Sequence, residues 1–209
     1  GVGRSFSAEG DDSLSGIENV LTGAGDDNVT GSALDNVIFT GAGNDEVTGG
    51  AGNDSIDGGS GVDWVKYLDA TGSVTVNLST GRASGAAGAD TFSGIENVVA
   101  STGNDRVDGN ALNNFIKAAN GNDTLFGDAG NDTLAGDFGS DSIVGGSDRD
   151  LLDYSDIGGS VSVFIGALRN GEGNASGAGG NDTFTGIEDV STGSGNDSVK
   201  GDLLANNLS

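Results

Sequence analysis

Aspartate is the residue type in this chain whose spacing could do chemistry, because it recurs every nine residues over long stretches. The nine-residue column, in which asparagine sometimes replaces aspartate, runs through Asp27, Asn36, Asp45, Asp54, Asp63, then Asp105, Asn114, Asp123, Asp132, Asp141, Asp150, then Asp197 and Asn206. Carboxylate oxygens suit hard cations such as Ca²⁺, whereas Zn²⁺ favours cysteine and histidine. The chain contains neither cysteine nor histidine. The column therefore predicts cation sites built from oxygen ligands.

Glycines stand at fixed places before these aspartates. The units GGAGNDSID (49–57) and GGSGVDWVK (58–66) match the pattern G-G-x-G-x-D-x-U-x, where U is aliphatic. Glycine reaches positive φ without a steric penalty, so the first half of each unit predicts a tight turn. The x-U-x half is long enough for a very short strand with one inward side chain. The predicted inward column is Val29, Ile38, Val47, Ile56, Val65, Val107, Ile116, Leu125, Leu134, Ile143, Leu152, Val199 and Leu208.

Two such units make one coil of strand, turn, strand and turn. Positions two units apart, such as Asp27, Asp45 and Asp63, then stack at the strand spacing of about 4.8 Å. Stacked carboxylates repel one another unless a cation lies between them. We therefore predict an all-β fold, a parallel β-roll or β-solenoid with two nonapeptide units per coil, that binds several Ca²⁺ ions.

These units resemble the RTX family, the hemolysin-type calcium-binding nonapeptide repeat. The resemblance implies that each ion lies between turns that are two units apart. One turn would give the carbonyls of its second and fourth positions and its aspartate; the other would give its first and third carbonyls and its aspartate. Carried over, one site uses Gly41, Gly43 and Asp45 with Gly58, Ser60 and Asp63. The further metal-site residues implied in this way are Gly23, Gly25, Asp27, Asp54, Asp105, Ala119, Gly121, Asp123, Gly130, Asp132, Gly136, Asp141, Asp150 and Asp197.

Some units depart from the pattern. Leucine replaces the fourth-position glycine at Leu34, Leu112 and Leu204, and asparagine then replaces the aspartate. Leucine resists positive φ, and a neutral amide is a poorer cation ligand than a carboxylate. We expect these units to be turns filled by apolar side chains, with a weak cation site or none. Asp148 also replaces a glycine before Asp150, which makes that site less regular.

A second motif recurs between the nonapeptide blocks: DDSLSGIENV (11–20), ADTFSGIENV (89–98) and NDTFTGIEDV (181–190). We expect its isoleucines, Ile17, Ile95 and Ile187, to pack inward after a bulged turn. The alternating segments 73–78 and 160–165 come before it and fit longer, in-phase rungs of the coil. The second spacer is longer than the first, which predicts an insertion of about five residues near positions 167–174.

The domain organisation predicted in this way is one continuous RTX β-roll over residues 1–209. It divides into a partial long repeat with its GIENV spacer (1–21), a first nonapeptide block (22–66), a spacer (67–101), a second block (102–153), a spacer (154–191) and the start of a third block (192–209). The chain starts and stops within a long repeat, so we expect it to be a piece of a larger protein.

Charge and composition exclude several function classes. A net charge of −24 argues against binding nucleic acid, whose phosphates need lysine and arginine. No apolar run approaches the ~18 residues of a membrane span. The resemblance implies a calcium-binding structural module of a bacterial protein that a type I system exports and that folds outside the cell or at its surface.

Two other functions stay open at this stage. The roll could be an adhesive, surface-layer or filament-forming segment that self-associates through calcium-dependent stacking of coil ends. It could instead be a non-catalytic accessory part of a secreted protease or polysaccharide-acting enzyme. Paired carboxylates can catalyse glycoside hydrolysis, but the repeat column accounts for almost every aspartate, so we predict that this segment is not an enzyme.

Overall fold

The computed structural model describes residues 4–6, 10–166, 172–201 and 206–208, and these residues form no helix. They group into two compact units, Gly1–Ser101 and Thr102–Ser209. The strands of the first unit are β1 (Arg4–Phe6), β2 (Ser13–Ser15), β3 (Asn19–Leu21), β4 (Asn28–Thr30), β5 (Val37–Phe39), β6 (Glu46–Thr48), β7 (Ser55–Asp57), β8 (Trp64–Lys66), β9 (Val74–Asn77), β10 (Arg82–Gly85), β11 (Gly88–Ser93) and β12 (Asn97–Val99).

Successive strands of the first nonapeptide block alternate between two sheets, because each turn carries the chain from one sheet to the other. One sheet has the order β1-β3-β5-β7-β11-β10-β9, and the other has the order β2-β4-β6-β8-β12. Pairing within the block is parallel and joins residues two nonapeptide units apart: Val37 lies opposite Ser55, and Asn28 lies opposite Glu46. The predicted parallel β-roll with two nonapeptide units per coil is confirmed.

The second unit repeats this arrangement. Its strands are β13 (Arg106–Asn110), β14 (Phe115–Lys117), β15 (Thr124–Ala129), β16 (Thr133–Ala135), β17 (Ser142–Ser147), β18 (Leu151–Tyr154), β19 (Val161–Ile165), β20 (Gly173–Gly177), β21 (Asn181–Thr185), β22 (Asp189–Thr192) and β23 (Ser198–Lys200). The sheet orders are β13-β15-β17-β21-β20-β19-β23 and β14-β16-β18-β22. Thr124 lies opposite Ser142, which is again two nonapeptide units further along the chain.

The core of each unit is the predicted aliphatic column. From Val29 to Val65 and from Val107 to Leu152, its members are at most 3% exposed. Ile95 and Ile187 are buried as expected, whereas Ile17 and Val199 are half-buried. Because each three-residue strand contributes one inward side chain, the two sheets of a unit meet over a single column of aliphatic residues.

The spacers contain a feature that periodicity did not predict. Instead of a longer parallel rung, each spacer folds as an antiparallel meander, β9-β10-β11 in the first unit and β19-β20-β21 in the second. The meander nevertheless returns in phase in the first unit, where Ser55 pairs in parallel with Thr91, two coil lengths further along the chain. The alternation of buried and exposed residues in β9 and β19 is as expected.

The longer second spacer owes its length to its first hairpin. Val74 pairs with Gly85 in the first unit, and Val161 pairs with Gly177 in the second, so the second hairpin is longer by five residues. This difference matches the predicted insertion. Positions 167–171, which come between β19 and β20 in the sequence, lie outside the described residues, as do Leu204 and most of the first nine residues.

The leucine-containing turns correct an expectation. Leu34 and Leu112 are 62% and 54% exposed, so the turns are not filled by their side chains. Neither leucine is among the residues with positive φ, in agreement with the steric argument. A different side chain therefore fills these turns, as described below.

Candidate metal centre

The repeat aspartates of the first unit form two buried ladders, one at each edge of the coil. In one ladder the backbone N–H of Asp27 donates to Asp45 Oδ1, and that of Asp45 donates to Asp63 Oδ1, both at 2.8 Å. In the other, the N–H of Asn36 donates to Asp54 Oδ1 at 2.8 Å. These five side chains are at most 2% exposed. The predicted stacking of positions 18 residues apart is confirmed at both edges.

The second unit has the same two ladders. The N–H groups of Asp105 and Asp123 donate to Asp123 Oδ1 and Asp141 Oδ1 at 2.7 and 2.9 Å. On the opposite edge, the N–H groups of Asn114 and Asp132 donate to Asp132 Oδ1 and Asp150 Oδ1 at 2.7 and 2.9 Å. Each accepting carboxylate thus uses one of its two oxygens to hold two coils in register.

The second oxygen of each carboxylate that accepts one of these N–H groups has no hydrogen-bond partner in the protein. Among the described residues, nine aspartate Oδ2 atoms are buried without a hydrogen bond: those of Asp12, Asp27, Asp45, Asp54, Asp63, Asp123, Asp132, Asp141 and Asp150. A buried polar atom without a partner is costly, and an ionised one more so. Oxygen atoms in pairs of stacked turns, with carbonyls beside them, are the ligands that Ca²⁺ takes. The residues present therefore fit the cation that the column predicted.

Burial makes six of these carboxylates harder to ionise, those of Asp54, Asp63, Asp123, Asp132, Asp141 and Asp150. Loss of solvation raises the pKa of Asp123, Asp132 and Asp141 to about 7. The same cause raises the pKa of Asp54 and Asp63 to about 6, against an ordinary value of 3.8. The donated backbone N–H lowers each pKa in part, and neighbouring carboxylates raise it further. A divalent cation would offset both the desolvation and the repulsion.

The first position of a turn is held close to the free oxygen. A Cβ on Gly136 would lie 2.3 Å from Asp141 Oδ2, and one on Gly58 would lie 2.7 Å from Asp63 Oδ2. No side chain fits there, so glycine leaves the space in front of the carboxylate open. The backbone carbonyls of both glycines were predicted to bind the cation, and both glycines line the turn in which the free oxygen lies.

The other carbonyls implied by the resemblance line the same turns, and several already bridge two coils. Second-position carbonyls accept backbone N–H groups at 2.9 Å, from Ala42 to Gly23, from Ser60 to Gly41 and from Phe138 to Ala119. The carbonyls of Ser60 and Gly58 accept from the Gly43 N–H at 3.0 Å and from Thr40 Oγ1 at 2.9 Å. A carbonyl oxygen has two lone pairs, so each keeps one for a cation. The fourth-position glycines, Gly25, Gly43, Gly121 and Gly130, have φ between 113° and 149°.

The asparagine turns are closed from within. Asn36 Oδ1 accepts the Ser32 N–H at 2.7 Å, and Asn36 Nδ2 donates to the Leu34 carbonyl at 2.7 Å and to Ser32 Oγ at 3.2 Å. In the second unit, Asn114 Oδ1 accepts the Asn110 N–H at 2.9 Å. An amide supplies both a donor and an acceptor, whereas a carboxylate supplies acceptors alone. The side chain that fills these turns is therefore the asparagine.

The predicted sites at Asp150 and Asp197 differ from the regular ladder turns. Asp148 adopts a φ of 80°, so it takes the left-handed conformation of the glycine it replaces, and Asp150 Oδ2 is free like those of its neighbours. Asp197 is half-buried and accepts the Val161 N–H through Oδ1 at 2.9 Å. Whether any of the predicted ligands holds a cation stays a prediction.

Sequence reasoning missed the role of the GIE glutamates. The N–H of Asp63 donates to Glu96 Oε2 at 2.9 Å, and that of Asp150 donates to Glu188 Oε2 at 3.0 Å. These contacts span 33 and 38 residues, so the spacer brings a glutamate to the place of the next ladder aspartate. The recurrence of glutamate in GIENV and GIEDV was the signal that could have identified it.

A second ladder, also missed, lies outside the first. At seven places an asparagine or aspartate just before a ladder residue accepts, through Oδ1, an N–H from the residue 18 positions later. The contacts, at 2.7 to 3.0 Å, run from Asn44 to Asp26, Val62 to Asn44, Asn53 to Asp35, Asn122 to Asn104, Ser140 to Asn122, Asn131 to Asn113 and Arg149 to Asn131. We call this exposed set the outer Asx ladder. Its signal was the recurring Asn-Asp dipeptide.

Comparison with known families agrees with the geometry. The family described as the RTX calcium-binding nonapeptide repeat matches four times, at residues 30–65, 90–125, 99–134 and 117–152. A search of the curated proteins found no match. In the described parts of the chain, no helix is long and apolar enough to span a membrane. Residues 30–65 and 90–152 therefore carry RTX calcium-binding nonapeptide repeats, and these parts of the protein form a calcium-binding structural repeat module.

Proposed function

We propose that the chain is the calcium-dependent folding module of a secreted or cell-surface bacterial protein, and that it folds when it meets extracellular Ca²⁺. The observation that carries this proposal is the set of nine buried carboxylate oxygens without a hydrogen-bond partner. Leaving them ionised and unpaired disfavours the metal-free fold. Cation binding to the folded state alone stabilises it by linkage.

The overall charge acts in the same direction. A net charge of −24 disfavours a compact state through self-repulsion. In the nonapeptide blocks each short strand buries one large aliphatic side chain, so the apolar core of the blocks is thin. Such a chain would stay expanded where calcium is scarce, which suits export of an unfolded chain, and would collapse where calcium is plentiful.

Circular dichroism tests this proposal directly. We expect metal-free protein at pH 8 to lack a β-sheet spectrum, to gain it on titration with millimolar Ca²⁺, and to lose it again with excess EDTA. Mg²⁺ at the same concentration is the matched control. It needs smaller, near-octahedral sites and retains its water, so it should not substitute. A β-sheet spectrum that survives chelation would contradict the proposal.

A structural role also accounts for the aspartates better than catalysis does. The ladder carboxylates are buried, and each one described above holds a backbone N–H of a neighbouring coil. A catalytic acid must reach a substrate, and a side chain enclosed between two coils does not. Turnover of a polysaccharide or peptide by the chain would contradict this assignment. Self-association stays a prediction, which sedimentation with and without Ca²⁺ would test.

A further inference from the structure

Two buried aspartates at the ends of the spacers are not among the nine with a free oxygen. Asp90 and Asp182 lie in the turns that rejoin the spacers to the coil, and they are 3% and 2% exposed. Each uses Oδ1 as the regular ladder does, accepting the N–H of Asp54 or of Asp141 at 2.9 Å. In neither residue is Oδ2 among the unpartnered buried atoms.

A tyrosine supplies the partner in the second unit. Tyr154 Oη donates to Asp182 Oδ2 at 2.6 Å, a contact that spans 28 residues. Tyr154 is 1% exposed and ends β18, while Asp182 lies in β21 of the opposite sheet. The phenol therefore crosses the interior of the coil to reach the carboxylate. A hydroxyl donated to an ionised oxygen in a buried site is a strong hydrogen bond.

The first unit has the equivalent pair. Tyr67 is 2% exposed and directly follows β8, and Asp90 lies in β11 of the opposite sheet. Burial, then the charge of Asp90, raises the pKa of Tyr67 well above its usual value. Its hydroxyl has no partner at ordinary hydrogen-bond geometry, so this is the looser of the two pairs.

The placement of both tyrosines follows one rule. Each stands four residues after the last aspartate of its block, Asp63 or Asp150. In a regular coil, the residue four positions after the aspartate is the first residue of the next turn, as Gly49 is after Asp45. The spacer begins there, which gives room for a large side chain where a regular coil has none.

We propose that the hydroxyl of Tyr154, and by the same placement that of Tyr67, occupies the place of a cation in the turns of Asp182 and Asp90. These two turns would then end the carboxylate ladders, and in them a hydroxyl takes the place of the metal ion. The inference rests on the proposed calcium function for the other turns. A donated proton and a divalent cation compete for the same carboxylate oxygen, so the hydroxyl excludes the ion. Tyr154 and Tyr67 are positioning residues that set where the calcium column stops.

Counting bound ions tests the proposal on the whole chain. We would measure Ca²⁺ per chain by equilibrium dialysis and atomic emission for wild type, Asp182→Asn and the matched control Asp132→Asn. Asp132 occupies a turn with a free Oδ2, so its substitution should lower the count by about one ion. Asp182→Asn should leave the count unchanged. Loss of an ion in Asp182→Asn would overturn the proposal.

Melting temperatures in saturating Ca²⁺ give a second readout. Tyr154→Phe leaves a buried carboxylate oxygen without its donor and should lower Tm by about 5 °C. Adding Asp182→Asn to that variant should restore most of the loss, since an amide closes its own turn at Asn36. Loss of the hydroxyl also frees Asp182 Oδ2 for a cation, so an unchanged Tm should be accompanied by about one more bound Ca²⁺. An unchanged Tm with an unchanged ion count in Tyr154→Phe, or a lowered Tm without recovery in the double variant, would contradict the proposal.

The two proposals fail in different ways. If wild type bound no Ca²⁺ at all, the calcium function would be wrong, and the melting series would still report on the tyrosine contact. If wild type binds Ca²⁺ and Asp182→Asn loses an ion, the tyrosine assignment alone is wrong. Should Tyr154→Phe fail to fold, the ion count of Asp182→Asn decides by itself.

Discussion

The turn that ends at Asp54 and the turn that ends at Asn36 stand on the same edge of the first unit, one coil apart, and are closed in different ways. Asn36 fills its turn with an amide that both donates and accepts. Asp54 leaves one buried oxygen with no partner. A single change of side chain thus separates a turn that is complete in the protein from one that needs a cation.

This comparison shows how a chain can limit its dependence on metal. Each block contains an asparagine turn in its second unit, and the second of the two long spacers ends at an aspartate, Asp182, whose second oxygen accepts the hydroxyl of Tyr154. The Asp turns between them carry the raised pKa values and the free oxygens. We expect cation dependence to be a property of individual turns, set by the donors that each turn contains.

The largest expected effect is on pH dependence, because it sums over the Asp turns. Six of them, Asp54, Asp63, Asp123, Asp132, Asp141 and Asp150, have pKa values of about 6 to 7 in the fold, against an ordinary 3.8, so the fold holds more protons than the unfolded chain between these values. Stability of the metal-free fold should therefore be greatest below about pH 4 and be lost as the pH rises through about 7. Far-UV circular dichroism of calcium-free protein between about pH 8 and pH 5 should show β structure appearing on acidification.

A matched pair of variants controls for net charge in that experiment. Asp54→Asn removes a buried carboxylate, and Asp35→Asn removes an exposed one. Asp35 Oδ1 accepts the Asn53 N–H, and the amide oxygen of an asparagine in its place can accept the same hydrogen bond. Asp54→Asn should reduce the pH dependence more than Asp35→Asn does. Equal effects would mean that general charge repulsion, rather than burial in the turns, is responsible.

Exchanging the two side chains should have the next largest effect. Asn36→Asp replaces an amide whose Nδ2 donates to Leu34 and Ser32 by a buried carboxylate without those donors. The metal-free fold should lose about 3 kcal/mol, and the Ca²⁺ midpoint of folding should rise. At high Ca²⁺ this variant should bind about one ion more, and Asp54→Asn about one fewer. An unchanged ion count in both variants would contradict the comparison.

The backbone at the fourth position should matter next. Gly52, in the Asp54 turn, has a φ of 119°, and a Cβ there would lie 2.8 Å from the Leu34 carbonyl carbon. Gly52→Leu should cost about 2 kcal/mol or more in urea unfolding with saturating Ca²⁺. The reverse change in the asparagine turn, Leu34→Gly, should stay within about 1 kcal/mol, since Leu34 is exposed and not at positive φ. Equal losses would mean that the two turns share one backbone requirement.

The smallest effect should come from the outer Asx ladder. Asn131 Oδ1 accepts the Arg149 N–H at 3.0 Å on the exposed surface. Asn131→Ala should cost about 1 kcal/mol in urea unfolding and leave the Ca²⁺ count unchanged, while Asn131→Asp keeps the acceptor and should be nearly neutral. A lower ion count in Asn131→Ala would assign this ladder to the metal sites.

Much of the site was predictable because the nine-residue period reports neighbours at a constant offset. Asp45 was expected between Asp27 and Asp63, and it bonds to both through backbone N–H and Oδ1. The content of the asparagine turns was predicted wrongly, since leucine was expected inside and is exposed. Hydrophobicity suggested burial for Leu34, but the amide of Asn36 satisfies the polar groups that line the turn.

The sequence by itself determined the coil: its register of two nonapeptide units, its aliphatic column and the two edges on which the aspartates stack. Periodicity is enough for this, because every such contact repeats at the same separation along the chain. Only the tertiary structure decided how the spacers fold back as antiparallel meanders and which side chains they bring to the ladder. Tyr154 meets Asp182 across 28 residues, and Glu96 meets Asp63 across 33. Those separations depend on the path of the spacer, so the nine-residue period does not specify them.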